Sequence, residues 1–487
     1  VPSSSIAQSP TSSRRAATGL PAPGEVAARL RAAGVPGVAL LESGLDQDDL
    51  GRFSFVMLRP LAVARAEPGR DLEVVSGPRG LPRRWPGDPL AGARALLDHL
   101  RAPGRPAPPA PFPFAGGAVV ALSYDLGRRY ERLAAPPPAE PDALPDLHLA
   151  VHDGALAFDH RRGVARWLGP RGPASREAER ALGACGPAPR LAPDDVAPAE
   201  RRSAWRESLD PAAYRRAVRT ARAWIRRGDL FEVNLSRRWE GPPIDPERCL
   251  DALRALSPAP FMADLELAPG VRLLSASPER FLSLDRRGRC RSWPIKGTRP
   301  RGATPAQDRA LLADLLASEK EQAELAMIVD LVRNDLGRVA RPGSVRVVDP
   351  RRVNSWPQVH HTVAVVEARL DQGRDWADLV RAAFPPGSVT GAPKVRAMEV
   401  IDALEPVRRG PYCGALGWVG WDGALDLAVA IRLVISSPTR ALVHAGGAVL
   451  LGSDPAAEER EGRLKARAGL RACAHAAAGR PPDRERV

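Results

Sequence analysis

A mixed α/β fold with antiparallel strands is what this 487-residue chain predicts. Three observations carry the prediction. Aspartates followed by proline, Asp210-Pro211 and Asp454-Pro455, open stretches of helical period. Short runs rich in apolar and β-branched residues recur between turn residues, as strands do. Two pairs of such runs are arranged like hairpins, one returning through Arg287-Gly288 and one around Trp421-Asp-Gly423. At 44% hydrophobic the chain can bury a sizeable core, either as two or three domains or as one large interwoven one.

In chain order, residues 1–20 are Ser-rich and polar without an apolar run, and a disordered tail is expected there. A helix is predicted near Glu25–Ala33, then strands at Val38–Ser43, Arg52–Leu58, Leu72–Val75 and Gly116–Leu122. Pro/Ala-rich connections follow at 101–114 and 134–145, and strands near Leu147–Val151 and Ala155–Phe158 complete an N-terminal region over 21–170. Residues 171–205, rich in Pro, Gly, Ala and charge, are the expected linker to a second region over 206–475. Residues 476–487 are expected to be a disordered tail.

In the second region Tyr214, Val218, Ala221 and Ile225 keep helical spacing until Gly228, and Leu230–Trp239 follows as a strand. Strand Arg272–Ser275 leads into Ser277-Pro-Glu-Arg-Phe-Leu282, an arrangement expected to bring Glu279 and Lys296 to neighbouring strands. The pattern is helical from Gln307 to Leu336, with Glu324, Met327, Ile328, Leu331 and Asp335 on one face. A carboxylate on such a stripe turns to water unless a cation meets it. His360 and His361, adjacent on a β-rich run, must point to opposite faces, as buried structural histidines or as functional ones. Pro386–Lys394 is not a phosphate loop: the spacing is wrong, and Pro393 lacks the amide such a cradle uses. A glycine-rich turn is left, with Thr390 and the following amides free to face a carboxylate at a helix N-terminus. Arg432 ends the apolar run Ala424–Arg432, either aimed at an anion or simply leaving the sheet. Glu458, Glu461 and Lys465 share one helix face, as an exposed charge pattern or, with a cation between the carboxylates, as oxygen ligands for Mg²⁺.

Charge and cysteine narrow the class. The net charge is +14, but Arg is dispersed among Asp and Glu with no basic block interleaved with aromatics, so no nucleic-acid partner is expected. Of the 71 basic residues only Lys296, Lys320, Lys394 and Lys465 are lysine. A lysine that persists where Arg has been substituted almost everywhere marks either chance or a place where a deprotonatable amine is needed, and Lys296 within Trp293-Pro-Ile-Lys-Gly-Thr-Arg-Pro-Arg-Gly302 is a candidate nucleophile. Five scattered cysteines (Cys185, Cys249, Cys290, Cys413 and Cys473) indicate neither a disulfide framework nor a zinc site. No membrane association is expected, and a cytoplasmic location is.

Together these segments resemble the chorismate-utilising family, which includes the first components of anthranilate and aminodeoxychorismate synthases and the isochorismate and salicylate synthases. Phe231-Glu-Val-Asn-Leu, Ser277-Pro-Glu-Arg-Phe, Met327-Ile-Val-Asp-Leu-Val-Arg-Asn-Asp-Leu, Gly387-Ser-Val-Thr-Gly-Ala-Pro-Lys and Ala430-Ile-Arg432 carry the resemblance in order, with Leu40–Ser43 and Ser123-Tyr-Asp125 agreeing more loosely. Pro294-Ile-Lys-Gly-Thr298 is similar to the aminodeoxychorismate branch, whereas anthranilate synthases usually carry Ala at the lysine position. The resemblance implies two antiparallel sheets packed as a sandwich with helices outside. It also implies conversion of chorismate and ammonia to 4-amino-4-deoxychorismate, with anthranilate synthase or another chorismate-utilising synthase the alternative. The implied catalytic residues are Lys296, Glu279 and His361. Gly297, Thr298, Thr390, Tyr412, Arg432, Gly446, Gly447 and Lys465 would bind substrate, and Glu324, Glu458 and Glu461 would hold Mg²⁺. No cysteine lies in a glutaminase-like turn, which implies a separate glutamine amidotransferase subunit as the ammonia source. Leu40–Ser43 and Ser257–Phe261 resemble segments that line a tryptophan pocket in relatives. Leu433, Ala364 and Gly452 depart from the family pattern at positions flanking the site.

Overall fold

The computed structural model describes residues 20–45, 50–131, 133, 144–186, 191–196, 205–356 and 359–477. Among them the strands form two antiparallel sheets, one of eleven strands and one of twelve. The eleven-stranded sheet runs in space from Arg206–Glu207 through Glu232–Gly241, Ala441–Val449, Leu433–Ser436, Val271–Ser277, Phe261–Ala268, Ala39–Glu42, Phe53–Met57 and Ala155–Asp159 to Val164–Leu168. The twelve-stranded sheet runs from Ile295–Pro300 through Val359–Arg369, Arg289–Ser292, Arg280–Leu284, Leu425–Val429, Ala415–Gly420, Gly117–Leu122, Leu147–His152, Ala62–Ala66 and Leu72–Ser76 to Arg84–Trp85.

Strand parity builds the sandwich. Successive side chains alternate between faces, so Leu41 and Phe55 of one sheet meet Val119, Ala121, Leu416 and Trp418 of the other in a shared inner core. Leu40, Val56 and Leu274, one residue out of phase, face the opposite way and are covered by helices Pro23–Ala32, Pro246–Leu256 and Pro455–Ala477. Ala118, Val120 and Leu122 likewise turn outward under helices Pro89–Leu100, Glu319–Gly337 and Trp376–Ala383. Sandwich and outer helices are thus as expected.

Both sheets draw strands from both halves of the chain, so the regions 21–170 and 206–475 share their cores. The stretch 171–205, expected as a linker, carries helix Pro173–Ala184, whose Ala178 and Ala181 are buried against the outer face of the eleven-stranded sheet. Its amphipathic pattern is built on alanine and is hard to see in an Ala-rich sequence. The tail 1–20 lies outside the described residues except Leu20, and residues 476 and 477 continue the last helix.

Local signals explain most boundaries. The Asp210 carboxylate accepts from the Ala213 amide at 2.7 Å, and Gly228 closes that helix at φ +86°. Asp454 accepts from the Ala457 amide at 2.8 Å. The helix expected over 307–336 is two helices, Pro305–Ala317 and Glu319–Gly337, because Ser318 stops the first and caps the second through the Glu321 amide. Among the described residues no helix is long and apolar enough to cross a membrane.

Lys394 belongs to the scaffold. Its ammonium bonds the Asp335 carboxylate and the Ala383 carbonyl, both at 2.7 Å and all buried, joining the ends of three helices. Lys394→Met should leave Asp335 buried without a counter-charge and lower stability by about 3–5 kcal/mol. In urea unfolding the double variant Lys394→Met/Asp335→Leu should recover most of that loss, and additive losses would contradict the pairing.

Candidate active site

The twice-made passage of the chain from one sheet to the other creates the site. Val271–Ser277 belongs to the eleven-stranded sheet and Arg280–Leu284 to the twelve-stranded one, so Glu279 sits in the crossing. Leu425–Val429 and Leu433–Ser436 repeat the pattern in reverse around Arg432. The Val429 amide bonds the Glu279 carbonyl, and the Ala276 amide the Arg432 carbonyl, each at 3.0 Å. Arg432 therefore does not end a strand, as the apolar run implied. It occupies a left-handed bend at φ +51°, and Cys413 beside this crossing has φ +63°.

Lys296 enters from the edge strand Ile295–Pro300. Gly297, at φ +80°, forms a bulge where the pairing with Val359–Arg369 shifts register, a conformation that favours glycine. The Lys296 ammonium is buried and ion-paired with Glu232, which lies on the other sheet and is completely buried. Burial alone would push this ammonium toward the neutral amine. Glu232, Glu324 and Glu279 outweigh burial and hold its pKa above the ordinary lysine value. The resting lysine is therefore charged.

Glu279 and Lys296 are not on neighbouring strands. Arg289–Ser292 and Val359–Arg369 lie between theirs, and the two residues meet because the Ile295 amide reaches the Glu279 carboxyl. Burial pushes Glu279 up to about 7, against the opposing hydrogen bond from Ser388 and the Lys296 charge. The Ser388 hydroxyl donates to Glu279 Oε1 at 2.5 Å from the turn 387–389. Thr390 closes this turn: its hydroxyl is committed to the Pro386 carbonyl at 2.8 Å and its carbonyl accepts from the Asn234 amide at 2.9 Å. The expectation of a Thr390 hydroxyl free for a carboxylate gives way to that bond.

His361 is buried and its Nδ1 lies 2.8 Å from the Thr298 hydroxyl. Burial, reinforced by the nearby charge of Arg432, pushes it down to about 4, so it is neutral near pH 7. His360 points to the other side, between the Ser355 hydroxyl and Asp308, and it too is buried. Both histidines are thus interior ones. Tyr412 is buried and stacked on His444 at 5.1 Å. Arg432 Nη1 donates to the Lys465 carbonyl at 2.8 Å.

The candidate metal ligands occupy two elements. Glu324 does not turn to water: it is 5% exposed, burial pushes it up to about 7 even with Lys296 opposing, and Lys320 lies 3.8 Å away. Glu458 is buried, and burial raises its pKa, while Glu461 is half exposed and pairs with Lys465 at 2.6 Å. Both face the strand at Gly447, where an added Cβ would lie 3.3 Å from Glu458 and 3.7 Å from Glu461. Gly446 is tighter still: a Cβ there would strike the Leu235 carbonyl. Among the described residues no three His, Cys, Asp or Glu groups are gathered into a metal cage. The donors are all hard carboxylate oxygens, which fits a water-rich Mg²⁺ held by one or two of them.

A separate cavity of about 340 Å³ lies between the sheets, lined in part by Leu41, Glu42, Pro260, Phe261 and Arg280. It joins the two segments likened above to a tryptophan pocket.

A sandwich whose sheet crossings carry Glu279 and Arg432, and whose edge strand brings Lys296 among Glu232, Glu324 and Glu279, defines a class. The chain matches the chorismate binding enzyme family over residues 54–471 and belongs to it. It is a chorismate-utilising enzyme, similar to relatives of two kinds. Aminodeoxychorismate synthase component 1 of Klebsiella aerogenes is 39% identical, over 88% of this chain and 91% of its own. Anthranilate synthase component 1 of Thermus thermophilus is 40% identical, over 93% and 96%. In structure the chain is similar to anthranilate synthase component I from Streptococcus pneumoniae, with a TM-score of 0.73 and 30% identity over 88% of this chain and 93% of that one.

Sequence reasoning did not single out Glu232, Ser388 or Lys320. Glu232 lay within a quoted motif, but one acidic residue on a strand gives no sign that it is buried. Ser388→Ala removes the hydroxyl that stabilises the Glu279 carboxylate. The alkaline limb of the kcat/KM pH profile should therefore move up, by about half to one unit. An unmoved or lowered limb would contradict Glu279 as the titrating acid.

Proposed function

We propose that this chain is the aminating component of an aminodeoxychorismate synthase, converting chorismate and ammonia to 4-amino-4-deoxychorismate. The observation that carries the reading is the buried Lys296 amine beside Glu279, in a segment where an anthranilate synthase usually has alanine. An alanine there offers no second nucleophile, whereas a lysine permits a double displacement. Lys296 attacks ring C2 while Glu279 protonates the departing 4-hydroxyl. Ammonia then attacks C4 and expels the lysine. A carboxyl near pKa 7 suits the acid, being protonated in a large fraction of molecules at neutral pH.

Arg432 and Tyr412 hold the enolpyruvyl carboxylate, and Thr298, Thr390, Gly446, Gly447 and Lys465 complete the pocket. Neutral His361, fixed by Thr298, serves as a polar wall rather than as an acid. Glu324 and Glu461, with Glu458 nearby, would hold Mg²⁺, which when bound supplies positive charge to anchor the ring carboxylate. Of the cysteines, Cys249, Cys290, Cys413 and Cys473 are buried, and burial pushes both Cys290 and Cys413 up to about 12. These thiols do not suit glutamine hydrolysis, which supports a separate amidotransferase subunit as the ammonia source. The shared name "component 1" among relatives agrees with a partner component. The place proposed for the activity is the folate route in the cytoplasm.

Anthranilate synthase is the competing reading, favoured by the 40% identity to the T. thermophilus relative against 39% to the K. aerogenes one. Incubation with chorismate, Mg²⁺ and an ammonium salt, followed by chromatography, separates the two. 4-Amino-4-deoxychorismate is expected; fluorescent anthranilate or unchanged chorismate would overturn the proposal. Lys296→Ala should abolish amination, and full retained activity would remove the lysine from the mechanism.

A further inference from the structure

The lysine route has a difficulty that the structure itself raises. A nucleophilic amine needs a lone pair, and Lys296 rests as an ammonium surrounded by carboxylates. The groups facing it are Glu232 on the opposite sheet, Glu324 on helix Glu319–Gly337 and Glu279 at the sheet crossing, with Glu461 of the last helix farther out. Only Glu232 is in hydrogen-bond contact with the ammonium. Its Oε1 also accepts from the Asn234 side chain at 3.3 Å, while Oε2 is buried and has no partner. A buried carboxylate with one unpartnered oxygen is incompletely solvated, and taking up a proton relieves that.

We propose that Glu232 is a catalytic residue, the internal base that accepts the proton of Lys296 at the moment of attack and returns it when the lysine leaves. The proposal rests on the lysine route described above and assigns its missing proton acceptor.

The protons and electrons balance through a full cycle. A proton passes from Lys296 to Glu232, giving a neutral amine and a carboxylic acid. The amine forms its bond to ring C2; the ring double bonds shift, the C4–O bond breaks, and the oxygen leaves as water with the proton of Glu279. Lys296 is then a secondary ammonium on the ring. Ammonia bonds to C4, the double bonds shift back, and the C2–N bond breaks with its electron pair returning to Lys296. The new C4 ammonium gives one proton to Glu279, and Glu232 returns its proton to Lys296. The net change is chorismate and ammonia to aminated product and water, with every side chain restored.

The geometry favours this assignment over a purely structural ion pair. In a purely structural pair the buried carboxylate oxygens are as a rule all partnered. Glu232 instead leaves one buried oxygen unpartnered while its other oxygen bridges the two sheets to the Lys296 ammonium. Glu324 and Glu279 face the lysine but are occupied elsewhere, Glu324 near Lys320 and Glu279 with Ser388.

The test follows the first half-reaction alone. The full chain is mixed with chorismate and Mg²⁺ without ammonium, quenched over time, and peptide-mapped for a ring adduct on Lys296 between pH 6.5 and 8.5. Glu232→Gln should slow adduct formation by about a hundredfold at pH 7 while the chorismate half-saturation stays within about twofold. Because loss of the Glu279 proton is common to both proteins, the ratio of unmodified to variant rates should shrink about tenfold per pH unit, as solvent replaces the missing base. Glu232→Asp, which keeps a carboxylate, should retain a pH-independent ratio at reduced rate. An adduct rate in Glu232→Gln equal to that of the unmodified protein, or a ratio constant with pH, would overturn the role of Glu232 and leave the lysine route standing. No adduct in the unmodified protein at any pH would overturn the lysine route and this inference together.

Discussion

One ion pair ties the two sheets together at the site. Lys296 stands on the edge strand of the twelve-stranded sheet and Glu232 on the eleven-stranded one, and both are buried. Charges removed from water this far are tolerable only in mutual contact, so the pair fixes how the two sheet edges approach. The same contact sets the charge of the amine. Burial favours the neutral form and the surrounding carboxylates favour the ammonium, and here the carboxylates win.

The second constraint is topological. Two strands of one sheet continue into two strands of the other, and the crossings run side by side, locked by paired backbone hydrogen bonds. Bends between sheets free side chains from the alternation that would bury them in a core or turn them to solvent. Glu279 and Arg432 occupy those bends, and the glycine-rich turn with Ser388 packs against the first of them. Acid and guanidinium are thereby carried by rigid sheet edges, which preserves their spacing better than loops would.

Much of this was legible in the sequence. Helix starts at Asp210 and Asp454 announced themselves through proline and an aspartate cap, and the hairpin around Asp422 through its turn residues. Lys296 stood out because almost every other basic residue is arginine. What was not legible has physical reasons. The helix Pro173–Ala184 buries alanines, which carry little contrast in an Ala-rich chain. The break at Ser318 depends on one side-chain cap within an otherwise continuous helical pattern. The strand neighbours of Lys296 follow from sheet order, which local pattern does not encode. Glu232 is the sharpest case: its meaning lies wholly in the lysine that reaches it from sequence position 296. Lys320 resembled any exposed helix lysine; its i,i+4 spacing to Glu324 was readable, but the burial of Glu324 was not.

The central claim is that the lysine-bearing cleft directs the incoming nitrogen to C4 of the ring. Supplying chorismate with ¹⁵N-ammonium and locating the label in the product by NMR tests it most directly. The account predicts ¹⁵N bonded at C4, with the enolpyruvyl group retained. Label at C2, with that group lost, would contradict it.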